Sequence, residues 1–198
     1  MKDTQEIYFS LDIETDGQIP GEYSMLSFGC AAFMADDQRA NSYKLLDTFY
    51  ANLETLPHAK ENPGTMAFWE KNKQAYDLTR TDQQNPYGAM RDYVKWVNKV
   101  CADNNAKPVC VCYPAGFDWT FFYWYLIKFA NESPFSFSCL DIKSFAMAKL
   151  GTKYRETTKR NFPKSWFPDA KHTHHALDDA IEQGLIFCNI LNWDGNKK

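Results

Sequence analysis

From Ile7 to Ile13 apolar and polar positions alternate: Ile7, Phe9, Leu11 and Ile13 fall on one side, Tyr8, Ser10 and Asp12 on the other. A period of two is the mark of a strand with one buried face. Asp16-Gly17 and Pro20-Gly21 then punctuate a loop. Met25 to Met34 is a run of apolar and small residues and reads as a central strand. Ser42 to Leu53 reads as a third strand. The short connections between these three predict an antiparallel meander.

The period then changes. Thr65 is placed to cap a short helix through Lys73, and Pro86 opens a longer one with Met90, Tyr93, Val94, Val97 and Val100 along one stripe. Val109 to Cys112, behind Pro108, reads as a short buried strand. Asp118 precedes an apolar helix from Trp119 to Phe129. Ser138 to Leu140 reads as a last strand and Ser144 to Leu150 as a short helix. Gly151 to Lys171, with Pro163 and Pro168, reads as a loop, and His175 to Leu191 as a closing amphipathic helix. Three strands followed by strands alternating with helices predict an α/β fold, a mixed sheet with helices packed on it. Ligands in such sheets gather at the carboxyl ends of central strands. No repeat, low-complexity tract or linker interrupts the chain, so residues 1–198 read as one domain.

Composition narrows the classes. Hydrophobic residues are 44% and aromatics 16%, which excludes a disordered chain. The formal net charge of −3 excludes a nucleic-acid binder held by charge alone. It leaves room for an enzyme whose carboxylates are neutralised by the cations they hold. The longest apolar stretch, Phe117 to Ala130, is too short to span a membrane and contains Asp118 and Lys128. Met1 to Glu6 is short and polar and carries no signal-peptide pattern, so a cytoplasmic, reducing setting is expected. None of the six cysteines forms a C-x-x-C pair. Cys110 and Cys112 fall on the same face of a strand. Buried free thiols are the expected reading, ahead of structural zinc or a disulfide framework.

Three acidic features carry candidate chemistry. Asp12 and Glu14 flank Ile13, so on a strand both carboxylates point the same way. Neighbouring carboxylates repel, and a hard cation such as Mg²⁺ or Mn²⁺ relieves that cost. A polar face on a half-exposed strand would use the same residues. Asp118 serves equally as a helix cap or as a further ligand. In His172-Thr173-His174-His175-Ala176-Leu177-Asp178-Asp179, the histidines lack the i, i+4 spacing of helical zinc ligands. His174 and Asp179 instead stand five apart, one before a helix and one in its first turns. Asp178 reads as a solvated charge at the helix start.

Taken together, Asp-x-Glu on the first strand, an Asp at a middle helix and His-x4-Asp near the C-terminus resemble the DEDDh 3′–5′ exonucleases. These belong to the ribonuclease H-like fold and include RNase T, oligoribonuclease and polymerase proofreading subunits. The match maps onto Asp12, Glu14, Asp118, His174 and Asp179 and extends from Tyr8 to about Asn189. The resemblance implies a five-stranded mixed sheet flanked by helices. It implies two divalent ions, Mg²⁺ or Mn²⁺, held by Asp12, Glu14, Asp118 and Asp179 roughly 3.5–4 Å apart. His174 would be the general base, and the product a nucleoside 5′-monophosphate.

The same kinship puts the backbone at Thr15 against the terminal 3′-hydroxyl. Ile13, Met25, Trp69 and Phe117 become candidates to pack on bases. The run Asn62-Pro63-Gly64-Thr65-Met66-Ala67-Phe68-Trp69 resembles compact bacterial and phage 3′–5′ exoribonucleases, which implies single-stranded RNA as substrate. Trp69 fits helix packing equally well. DNA is the alternative substrate. A non-catalytic nucleic-acid-binding module and a structural zinc protein using the histidines are the alternatives outside this chemistry. A homodimer is expected by the same resemblance. Lys143, Lys149, Lys153, Arg155, Lys159, Arg160, Lys164 and Lys171 outnumber Glu156 and Asp169 in the stretch before His174. Lys159 and Arg160 are therefore expected to steer the nucleic-acid backbone.

Overall fold

The computed structural model describes residues 5–39, 42–168 and 173–195. The first strand, β1, is Gln5–Thr15, longer at each end than the alternation marks. Ile7, Phe9 and Leu11 are fully buried on one of its faces. β2, Met25–Ala35, is buried along all but its last residue, as a strand covered on both faces must be. β3, Tyr43–Asn52, is the half-exposed edge. β1 pairs antiparallel with β2, and β2 with β3, giving the expected meander. β4, Ala106–Cys112, runs parallel to β1 on its other side. β5, Leu140–Asp141, runs parallel to β4, and the strand order is β3-β2-β1-β4-β5.

β5 begins later than Ser138, and a side chain explains where it stops. Asp141 accepts a hydrogen bond from the Ser144 N–H, so the next helix starts at once and cuts the strand short.

Among the described residues there are six α-helices: α1 Pro63–Lys71, α2 Lys73–Thr79, α3 Pro86–Asp103, α4 Ala115–Tyr125, α5 Ile142–Leu150 and α6 Ala176–Leu191. The cap of α1 is Asn62 rather than Thr65: its side chain accepts from the Gly64 and Thr65 N–H groups, with Pro63 in the first turn. α2 has no clear sequence period and is an addition to the expected elements. α4 starts three residues before Asp118, so Asp118 lies inside the first turn and is not the cap. α4 runs into a single wider turn, Leu126–Ala130, closed by Asn131 in the left-handed region. The stretch after α5 holds two short 3₁₀ turns, Lys159–Asn161 and Lys164–Trp166, and buries Trp166.

α3 and α4 pack on the Ile7–Phe9–Leu11 face, through Tyr93, Phe121, Phe122 and Tyr125. α6 lies on the opposite face, over β1 and β2. Two glycines set how closely it lies. A Cβ at Gly29 in β2 would collide with the backbone of Ala176 and Leu177, where α6 begins. A Cβ at Gly184 would collide with the Phe33 ring and with Ser10. Helix and sheet therefore meet backbone to backbone. Among the described residues no helix is long and apolar enough to cross a membrane.

Candidate active site

Gly29 stands opposite Asp12 in the β1–β2 register, so the start of α6 is pressed down beside Asp12. Asp12 and Glu14 are half-buried on that face, and Ile13 between them is buried in the opposite core. Asp179, in the first turn of α6, is buried, and its Oδ1 accepts the Thr173 N–H at 3.1 Å. Asp118, in the first turn of α4, is also buried. Both aspartates thus sit where helix N–H groups favour negative charge. The Ile13 N–H, on β1, supports the ionised form of Asp118.

His174 adopts φ +55°, in the left-handed region. For a non-glycine residue this costs on the order of 1–3 kcal/mol, so its surroundings must hold it there. Its ring meets the Phe68 ring edge-on, with centroids 5.1 Å apart and planes at 90°. Ligand atoms of Glu14, His174 and Asp179 lie within 4.8 Å of one another. The His175 ring turns elsewhere and stacks on Tyr50 at 4.5 Å. The two described histidines of the cluster therefore take different partners, and His172 lies outside the described residues, with Asp169 and Lys171.

The electrostatics are those of an acidic site short of positive charge. Burial pushes Asp12 well above the usual carboxylate range, and the neighbouring Asp118 and Asp179 push it further. Burial likewise raises Glu14, with Asp12 and Asp179 adding to it. Asp118 is raised by burial, against the opposing pull of its own and the Ile13 N–H groups. Lys159 works the other way on Asp12. Its Nζ donates to Glu182 Oε2 at 2.9 Å, so Lys159 is committed to a buried partner on α6. Arg160 is exposed. Of the two residues expected to steer the nucleic-acid backbone, Lys159 is thus in an ion pair and Arg160 faces solvent. Hard oxygen donors crowded at this density fit Mg²⁺-like cations, which would restore the ionised forms.

Of the residues expected to grip substrate, Ile13, Thr15, Met25 and Trp69 are buried, and Phe117 is 37% exposed. Met25 sits in the core, its N–H bonded to the Tyr125 hydroxyl. Trp69 donates its indole N–H to the Thr15 carbonyl at 2.8 Å and so fixes the end of β1. The aromatic of α1 that faces His174 is its neighbour Phe68, 40% exposed, which the sequence reading passed over. One position along a helix turns a side chain by about 100°, so the Asn62–Trp69 run marks the helix and not the face. A cleft of about 670 Å³ adjoins this corner, lined by Lys71, Asn72, Lys73, Thr173, His175 and Asp178.

A five-stranded mixed sheet of this order, with four acidic residues and a histidine gathered at the carboxyl end of its first strand, has the ribonuclease H-like architecture of the DEDDh nucleases. Solved structures of that class share the fold. The nuclease domain of 3′hExo, a DEDDh family member bound to rAMP, matches with TM-score 0.63 at 11% identity over 98% of this chain and 96% of that one. A 3′-exonuclease in 3′-end-specific recognition of a histone mRNA stem-loop matches with TM-score 0.66 at 12% identity over 98% of this chain and 84% of that one.

Sequence narrows the class to a family. The 3′–5′ exoribonuclease Rv2179c-like domain matches residues 8–191, and the chain belongs to that family. It is also 31% identical over 199 residues to the 3′–5′ DNA exonuclease Cap18 of Escherichia coli, covering 100% of this chain and 98% of the relative. The protein is a 3′–5′ exonuclease acting on nucleic acid, in a class that depends on divalent metal.

Proposed function

We propose that this exonuclease removes nucleoside 5′-monophosphates one at a time from the 3′ end of single-stranded RNA, using two divalent ions, Mg²⁺ or Mn²⁺. The convergence of Asp12, Glu14, Asp118 and Asp179 beside His174 carries the reading. The four carboxylates would hold the ions. When bound, the ions supply Lewis-acid charge at the scissile phosphate, the attacking water and the leaving 3′-oxygen.

The chain's own groups do the rest. An imidazole nitrogen of His174 takes the proton of the attacking water, and Phe68 limits the tilt of that ring. The indole of Trp69 fixes the Thr15 carbonyl, so the backbone that meets the terminal ribose is held from behind. Phe117 and Phe68 are the exposed rings available to the last bases. The family description, an exoribonuclease domain, supports RNA. The full-length likeness to a DNA exonuclease supports a second reading, in which the same site trims DNA 3′ ends.

The test digests matched single-stranded RNA and DNA, each labelled at the 5′ end, with Mg²⁺ and with Mn²⁺. A ladder shortening from the 3′ end, faster on RNA, is expected. Faster shortening of DNA establishes the second reading. No shortening of either strand would leave a nucleic-acid-binding module and overturn both.

A further inference from the structure

Three thiols converge on the side of the sheet away from α6. Cys110 and Cys112 project from one face of β4, as residues two apart on a strand must. Cys139 immediately precedes β5. The parallel register sets Val111 beside Leu140, which brings Cys139 alongside Cys110. The Cys139 sulfur lies 3.5 Å from that of Cys112, and the Cys112 sulfur 3.9 Å from that of Cys110. All three sulfurs lie within 4.8 Å of one another. Cys110 and Cys112 are buried, Cys139 is partly exposed, and none is in a disulfide.

We propose that Cys110, Cys112 and Cys139 form a binding site for one thiophilic d¹⁰ cation, Zn²⁺ in the first instance, at the junction of β4 and β5. A Zn–S bond is about 2.3 Å, which puts tetrahedral sulfur ligands about 3.8 Å apart. The Cys112–Cys139 and Cys110–Cys112 separations fall on either side of that value. A disulfide needs its sulfurs at about 2.05 Å and would leave one of the three thiols over. Soft sulfur donors also select against Mg²⁺, so this site and the carboxylate site would not compete for one ion.

Binding Zn²⁺ displaces the thiol protons to solvent and leaves three thiolates around the ion, with net charge −1. The fourth ligand comes from solvent on the Cys139 side.

The consequence is mechanical. The cation ties β5 to β4, and β5 carries Asp141, whose Oδ2 accepts the N–H of Ala115 at 2.9 Å. Ala115 begins the helix that bears Asp118.

The test titrates the full chain, reduced and metal-free, with Cd²⁺ and follows the thiolate-to-metal charge-transfer absorbance. The band should saturate at one equivalent. It should vanish in Cys139→Ser and in Cys112→Ser, and persist in Asp12→Asn, which disables the carboxylate site. Because Cys112 is in the core, Cys139→Ser is the decisive variant, and circular dichroism checks its fold. Zn²⁺ should also protect Cys139 from alkylation in the native protein. No band at one equivalent, or a band unchanged in Cys139→Ser, overturns the site. So does a Cys112–Cys139 disulfide in protein kept under reducing conditions.

Discussion

Two neighbouring strands of one sheet end in opposite chemistries. At the end of β1, Asp12 and Glu14 meet Asp118 and Asp179; at the end of β4, Cys110 and Cys112 meet Cys139. Both clusters pair an i, i+2 strand motif with groups delivered by later segments. Like groups are crowded in each, yet only one cluster can satisfy itself. A thiol donates to the next sulfur, and the Cys139–Cys112 contact shows this arrangement. An ionised carboxylate only accepts, so Asp12 raises the proton affinity of Glu14, and Asp118 and Asp179 raise that of Asp12. A bound cation therefore favours the ionised form of the carboxylate cluster, whereas the thiols already make contacts among themselves.

The largest test of that contrast is activity. Asp12→Asn should lower nucleotide release by about 10²–10⁴-fold, since metal charge stabilisation contributes several kcal/mol and each tenfold is about 1.4 kcal/mol. Cys139→Ser should cost far less, since it removes no group of the carboxylate site. Equal losses in the two variants would erase the distinction. His174→Ala should cost about 10²–10⁴-fold while leaving the Cd²⁺–thiolate absorbance intact. Full activity of this variant at every pH would remove His174 as the base.

Stability sharpens the contrast further. Asp12, Glu14 and Asp118 have raised folded-state values. Such groups add stability below their unfolded values and lose it as pH rises through the folded ones. The cation-free protein should therefore lose this contribution toward neutral pH, and Mg²⁺ should restore it. At a hundredfold excess over Kd the gain is about 2.7 kcal/mol, or roughly 5–10 °C in Tm for a chain of this size. Calorimetry should show a larger Mg²⁺-induced shift at neutral than at acidic pH; equal shifts would contradict the account.

The smallest expected effect comes from Gly29→Ala, which should cost about 1–3 kcal/mol in a urea melt by forcing α6 off β2. Nuclease activity should fall with it and thiol chemistry should not. Gly88→Ala in α3, where a Cβ meets nothing, is the control.

Much of the carboxylate site was legible because its rules are local. A period of two sets Asp12 and Glu14 together, and a helix start sets Asp179 after His174. The meander and the stripe from Met90 to Val100 followed from periodicity in the same way. What escaped depends on elements meeting in space. Phe68 and Trp69 are adjacent in sequence, and only the seating of α1 decides which one faces His174. Met25 looked available until Tyr125 closed over it. Cys110 and Cys112 were visible as a pair, but Cys139 joins them through a parallel pairing two residues long. Lys159 looked like one of many surface cations until Glu182 claimed it.

Gly29 and Gly184 also bear on how this site could be transplanted or designed. Neither offers a functional side chain, and Gly29 lies on a strand that contributes none of the five clustered residues. A graft that copied only those acids and the histidine onto another sheet would hold α6 too far away for Asp179 to reach Asp12. The smallest portable unit therefore includes two missing side chains, and the surface of contact between helix and sheet belongs to the specification as much as the ligands do.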